Sequence, residues 1–69
     1  MYILKTDTSN TVTEYLQLRD DDLALVEYIK LSLLPKIVNQ WIEKYNLKTD
    51  GQSLINKIQS APYNKIIKI

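Results

Sequence analysis

Between Leu23 and Asn46 the chain is dense in apolar residues and helix formers, yet no single helical face stays apolar along the whole run. In its second half, Leu33, Leu34, Ile37, Val38, Trp41, Ile42 and Tyr45 fall on one side of a helix, opposite Lys36, Asn39 and Glu43. Extending that wheel backwards at about 100° per residue puts Glu27 and Lys30 into the apolar stripe and turns Leu25, Tyr28 and Ile29 away from it. Pro35 lies near the junction, where a helical proline clashes with the carbonyl four residues back, at Leu31. The pattern predicts two helices broken near residues 31–34, or one sharply kinked helix, with Ser32 as a cap for the second. The first helix, Asp22 to Leu31, would be apolar around most of its circumference and would need cover on two sides. Residues Leu23 to Leu31 also have high β propensity, so a strand competes for them.

The flanking segments set the rest of the architecture. Tyr2 to Lys5 reads as a strand, and the polar run from Thr6 to Thr11 reads as a turn. Val12 to Arg19, rich in Val, Thr and Tyr, is expected to complete a hairpin. A helix competes there, because Thr11 and Glu14 have capping-box spacing. Asp20, Asp21 and Asp22 are expected to cap the helix that follows. They do not suit a metal ion, since neighbouring helical side chains diverge. The five-residue segments starting at Glu14 and Glu27 echo each other weakly. Asn46 is a suitable left-handed stop, Thr49 with Gln52 opens another helix to about Ser60, and Pro62 ends it. Tyr63 to Ile69 reads as a terminal strand. The predicted fold is one α+β domain over residues 1–69. It has a small antiparallel sheet, made of the N-terminal hairpin and the C-terminal strand, with two to three helices on one face.

Composition narrows the function more than it narrows the fold. With no cysteine and no histidine, disulfides, typical zinc sites and the commonest general base are all absent. Gly51 is the one glycine, which excludes glycine-rich phosphate loops. Ser9, Ser32, Ser53 and Ser60 have no evident activating partner in the sequence other than a lysine. An enzyme is therefore not expected, nor is any cofactor. A core in 69 residues supplies only about 3–5 kcal/mol of net stability. Association with a protein partner, or with copies of itself in a homo-oligomer, is the expected aid.

The run from Leu23 to Ile42 is interrupted by Glu27, Lys30, Pro35, Lys36, Asn39 and Gln40, so no membrane span is expected, and no signal peptide is visible. A cytoplasmic protein is the corresponding expectation. Abundant Ile, Lys, Asn and Tyr imply AT-rich codons, which suits a phage or mobile-element regulator acting in a host cell. Residues 1–35 carry a net charge of −3 and residues 36–69 a net charge of +4.

Two sets of candidate residues follow. The leading reading is a small module that binds and modulates another protein through Leu25, Tyr28 and Ile29, helped by Tyr2 and Tyr63. Trp41, central on its stripe, is expected in the core. The rival reading is a DNA-binding regulator with a helix-turn-helix-like element over residues 41–60. There Gln52 and Ser53 would approach bases while Lys44, Lys48 and Lys57 contacted phosphates. A near-zero net charge, and Asp50 at the head of the reading helix, weigh against it.

Overall fold

In the computed structural model, which describes residues 1–7 and 13–69, the chain alternates early and coils late. Strands β1 (Tyr2–Asp7), β2 (Glu14–Arg19) and β3 (Leu25–Lys30) form an antiparallel meander. A 3₁₀ turn (Leu31–Leu33) leads into helix α1 (Leu34–Lys44), which is followed by helix α2 (Gly51–Ser60). The short strand β4 (Ile66–Lys68) returns antiparallel to β1, so the sheet order is β3-β2-β1-β4. The fold is thus α+β, a four-stranded antiparallel sheet with two helices. The Thr11–Glu14 capping spacing, Val12 and most of the expected polar turn lie outside the described residues.

The segment read as a first helix, Asp22 to Leu31, is instead strand β3 with the turn before it. The reversal of the apolar face near Pro35 is a change of period, from two residues in β3 to 3.6 in α1. As a helix this segment would need cover on two sides. As a strand it pairs with β2, turns Glu27 and Ile29 inward, and leaves Tyr28 on the other face. The echoing segments at Glu14 and Glu27 are these two neighbouring strands, Leu16 lying opposite Ile29 and Gln17 opposite Tyr28.

The three aspartates do not cap a helix. Asp20 Oδ1 accepts from the backbone N–H of Asp22 and of Ala24, both at 2.9 Å, and so organises the β2–β3 turn. Leu23 closes that turn with φ of +64°, a left-handed conformation costly to a residue with a Cβ. The Leu23 side chain is exposed; its backbone N–H donates to Asp20 O at 2.9 Å and its carbonyl accepts from Arg19 Nη1 at 2.8 Å, bonds that a glycine would keep. Replacing Leu23 with glycine is expected to raise the urea midpoint, by about 0.5–1 kcal/mol of stability.

Pro35 sits in the first turn of α1, where its missing N–H leaves no bond unmade. Ser32 does not cap this helix; the 3₁₀ turn provides the entry, and no side chain bonds its start. Asn46 stops the chain in the left-handed region at φ of +52°. At α2 the cap is Asp50 rather than Thr49. Its Oδ1 accepts from Ser53 N at 2.8 Å and its Oδ2 from Ser53 Oγ at 3.1 Å. Gln52 turns instead along the helix to Asn56. Ala61, before Pro62, is already extended, which ends α2.

Both helices lie on one side of the sheet. Ile3, Leu16 and Leu18 from the sheet bury against Leu34, Val38 and Trp41 of α1 and Leu54 and Ile58 of α2. Trp41 is central, as its place on the stripe predicts, and among the described residues its Nε1 is the one buried side-chain donor without an acceptor. Lys5 also points inward and is only 2% exposed. Its ammonium donates to Gln59 O in the last turn of α2 at 3.0 Å and lies 4.5 Å from the centre of the Tyr63 ring. Cations suit that position because the last carbonyls of a helix are unpaired and carry partial negative charge.

Candidate functional site

Alternation along the strands gives the sheet a second face that neither α1 nor α2 covers among the described residues. Cross-strand register orders that face into rows. Lys30 lies opposite Tyr15, and Tyr15 opposite Thr6. Tyr28 lies opposite Gln17, which is opposite Leu4 and then Ile66. Arg19 lies opposite Tyr2, which is opposite Lys68. The Tyr15 and Tyr28 rings pack at 5.3 Å between centroids, tilted by 39°. Arg19 is laid along the surface by bonds from Nε and Nη2 to Gln17 Oε1, at 3.1 and 2.6 Å.

The edge formed by β3 is the second feature. Opposite Leu18 stands Glu27 and opposite Arg19 stands Leu25, so Val26 is an extra, bulged residue. Leu25 is 49% exposed and Tyr28 57%, with Val26 also exposed beside them. No strand pairs with the far side of β3 among the described residues.

These placements sort the candidate residues. Tyr2 and Tyr28 share the uncovered sheet face, and Leu25 joins Tyr28 on β3. Ile29 is half-buried and packs against the core, so it does not present a surface. Tyr63 lies away from this group, over Lys5, with its hydroxyl donating to Glu14 Oε2 at 2.7 Å. Tyr15 was not singled out by sequence. Its signal was the two-residue period of β2, which sets Tyr15 on the side opposite Leu16.

Of the second set, Lys44 is exposed and donates to Glu27 Oε2 at 3.1 Å, tying α1 to β3. Ser53 uses its N–H and hydroxyl on Asp50, and Gln52 its amide on Asn56. Lys48 and Lys57 are exposed. The α1–α2 connection, Tyr45 to Asp50, is longer than the turn of about 3–4 residues typical of a helix-turn-helix.

A cleft of about 650 Å³ opens at the other end of the sheet, with Lys5, Glu14, Lys30, Ser32, Gln59 and Tyr63 in its walls. Two pairs of its polar groups bond each other, Lys5 with the Gln59 carbonyl and Tyr63 with Glu14. Among the described residues no group of three or more His, Cys, Asp or Glu is placed to hold a metal ion. Nor is any described helix long and apolar enough to cross a membrane.

The ionisable contacts predict a two-sided pH response. Tyr45 and Lys44, bonded to Glu27, lower its carboxyl, and the N-terminal ammonium bonded to Asp21 lowers that one. Ser53 lowers Asp50 through its backbone N–H and its hydroxyl. Each of these carboxyls is lower in the folded chain, so its contribution is complete above the unfolded value and is lost as pH falls through the folded one. Hydrogen bonds to Glu27 and Glu14 raise the Tyr45 and Tyr63 phenols above 10.0. Their contributions hold below the unfolded value and are lost as pH rises through the folded one. Urea midpoints are expected to stay level from about pH 6 to 8, falling below about pH 4.5 and again above about pH 10.

Comparison with protein-family models, with curated proteins and with solved structures returns no match. The residues alone carry the functional reading.

Proposed function

We propose that this chain is a non-enzymatic binding module that docks another protein chain along β3, with a second copy of itself as the occupant. The observation that supports this reading most is the free β3 edge, where Leu25, Val26 and Tyr28 are exposed together. Every second backbone N–H and C=O of an edge strand points away from its sheet and serves as a template for another strand. Of the four exposed β3 residues, Leu25, Val26 and Tyr28 are apolar or aromatic and only Lys30 is charged; that lysine and the Val26 bulge limit pairing at the strand's two ends without blocking its middle. Antiparallel pairing of β3 with its own copy satisfies a two-fold axis, the commonest symmetry of homo-oligomers. The same contact would add apolar burial to a domain whose own core is small.

Sedimentation equilibrium over about a hundredfold range of concentration tests the proposal by mass action. The expected result is a monomer–dimer equilibrium that Val26→Lys shifts strongly towards monomer. Val26 is an exposed bulge residue, so this substitution leaves the core intact. A chain that stays monomeric at the highest concentration, or a Val26→Lys variant that dimerises like the wild type, would contradict it.

A further inference from the structure

The uncovered sheet face goes beyond that reading, because its chemistry differs from that of the β3 edge. Each end of the face sets an aromatic ring beside a cation. Tyr15 is directly cross-strand from Lys30, which stands at the rim between this face and the cleft, and Tyr2 lies between Arg19 and Lys68. Directly paired side chains on a sheet stand about 5 Å apart, close enough to share one ligand. Tyr28, packed on Tyr15, extends the aromatic surface towards the edge.

Among the described residues no carboxylate shares this face by strand alternation. Asp7 and Glu14 pair with each other and lie, by alternation, on the opposite side. Glu27 turns inward to Lys44 and Tyr45. The Asp20–Asp22 turn borders one end, near enough to Lys68 for the two charges to interact through Asp21. A chain with a net charge of only +1 thus gathers one arginine and two lysines among three tyrosines on a single surface.

We infer that this face binds single-stranded nucleic acid, with bases stacked on Tyr2, Tyr15 and Tyr28 and phosphates held by Arg19, Lys30 and Lys68. A single strand offers unstacked bases with exposed π-faces next to a polyanionic backbone, which matches rings alternating with cations. A duplex hides its base faces, so only the phosphate contacts would remain to it. Tyr15 and Tyr2 sit four residues apart along the strand direction, since Tyr2 is opposite Arg19. At about 3.4 Å per residue this spans about 14 Å, enough for more than one unstacked nucleotide. Arg19 keeps guanidinium N–H groups free for phosphate after its bonds to Gln17 and Leu23.

Fluorescence anisotropy of a labelled oligothymidylate of about ten nucleotides, titrated with the full chain at low salt, tests the inference directly. Saturable binding is expected, with log K falling against log salt at a slope of about −2 for three phosphate contacts on a single strand. A duplex of equal length should bind at least about tenfold more weakly. Tyr15→Ala and Tyr2→Ala should each weaken binding by about 5- to 100-fold. Lys30→Gln should weaken it less and flatten the salt slope by about one third. Lys48→Gln and Lys57→Gln, on the helical side, should leave it within about twofold.

Circular dichroism and urea midpoints of each variant confirm that the fold persists. Absence of binding to the wild-type chain at low salt would overturn the inference and leave the tyrosine face to a protein partner. It would also fail if folded Tyr2→Ala and Tyr15→Ala variants bound like the wild type, or if the helical lysines carried the affinity. Dimerisation is read separately by sedimentation, so a monomer that binds the oligonucleotide would refute the β3 proposal alone.

Discussion

Trp41→Ala is expected to leave the chain largely unfolded at room temperature, with cooperative thermal unfolding lost. Trp41 is 1% exposed and is the largest fully buried side chain, set between the sheet residues Ile3, Leu16 and Leu18 and the α2 residues Leu54 and Ile58. Truncating a buried tryptophan costs about 3–5 kcal/mol, through lost burial and the cavity left behind. A domain of this size holds about that much in total. Trp41→Phe separates size from polarity. It keeps an aromatic ring in the same space and deletes the Nε1–H that lacks an acceptor, so a loss of only about 1–2 kcal/mol is expected. Thermal unfolding followed by far-ultraviolet circular dichroism distinguishes the two variants.

Lys5→Glu has the second largest expected effect. Lys5 is buried in β1, and its ammonium faces the C-terminal carbonyls of α2 and the ring of Tyr63. A carboxylate there would be desolvated, would lose the bond to Gln59 and would meet the negative end of the helix. Leaving such a charge uncompensated costs about 3–5 kcal/mol, again comparable to the stability of the whole domain. Lys5→Met keeps the length and the apolar stem without the charge. Replacing a buried charge with an apolar side chain of similar volume is often neutral, so this variant should lie within about 1.5 kcal/mol of wild type. If Lys5→Met proved as damaging as Lys5→Glu, the ammonium itself would be the essential group and not merely an accommodated one.

Legibility in the sequence varied with how local the deciding interaction was. Helix α1, its apolar stripe, the left-handed stop at Asn46 and the end of α2 before Pro62 all follow from local spacing and backbone chemistry. The segment of β3 is ambiguous in sequence, because its Val, Tyr and Ile favour a strand while its Leu, Glu and Lys favour a helix. Pairing with β2, a contact distant in sequence, decides it. The aspartate triplet misled in the same way: Asp20 does cap backbone N–H groups, but those of a hairpin turn. The surplus apolar character of residues 22–31 was a real signal attached to the wrong element. On a strand it becomes an exposed edge at Leu25, Val26 and Tyr28 instead of a doubly apolar helix.

The candidate surfaces were half visible for that reason. Tyr2 and Tyr28 were legible as surface aromatics, but their shared face with Tyr15 exists only in the register of three strands. The cations beside them lie far apart in sequence, Arg19 in the acidic half and Lys68 in the basic half, so a charge count by halves separated what the sheet brings together.

Amide hydrogen exchange across β3, measured at low and high protein concentration, tests the central claim most directly. Docking of a second chain along β3 predicts that alternate amides from Leu25 to Lys30 gain the most protection as concentration rises, while those of β1 and β2 gain no more than the added global stability supplies. Protection of β3 amides that is the same at both concentrations would contradict it.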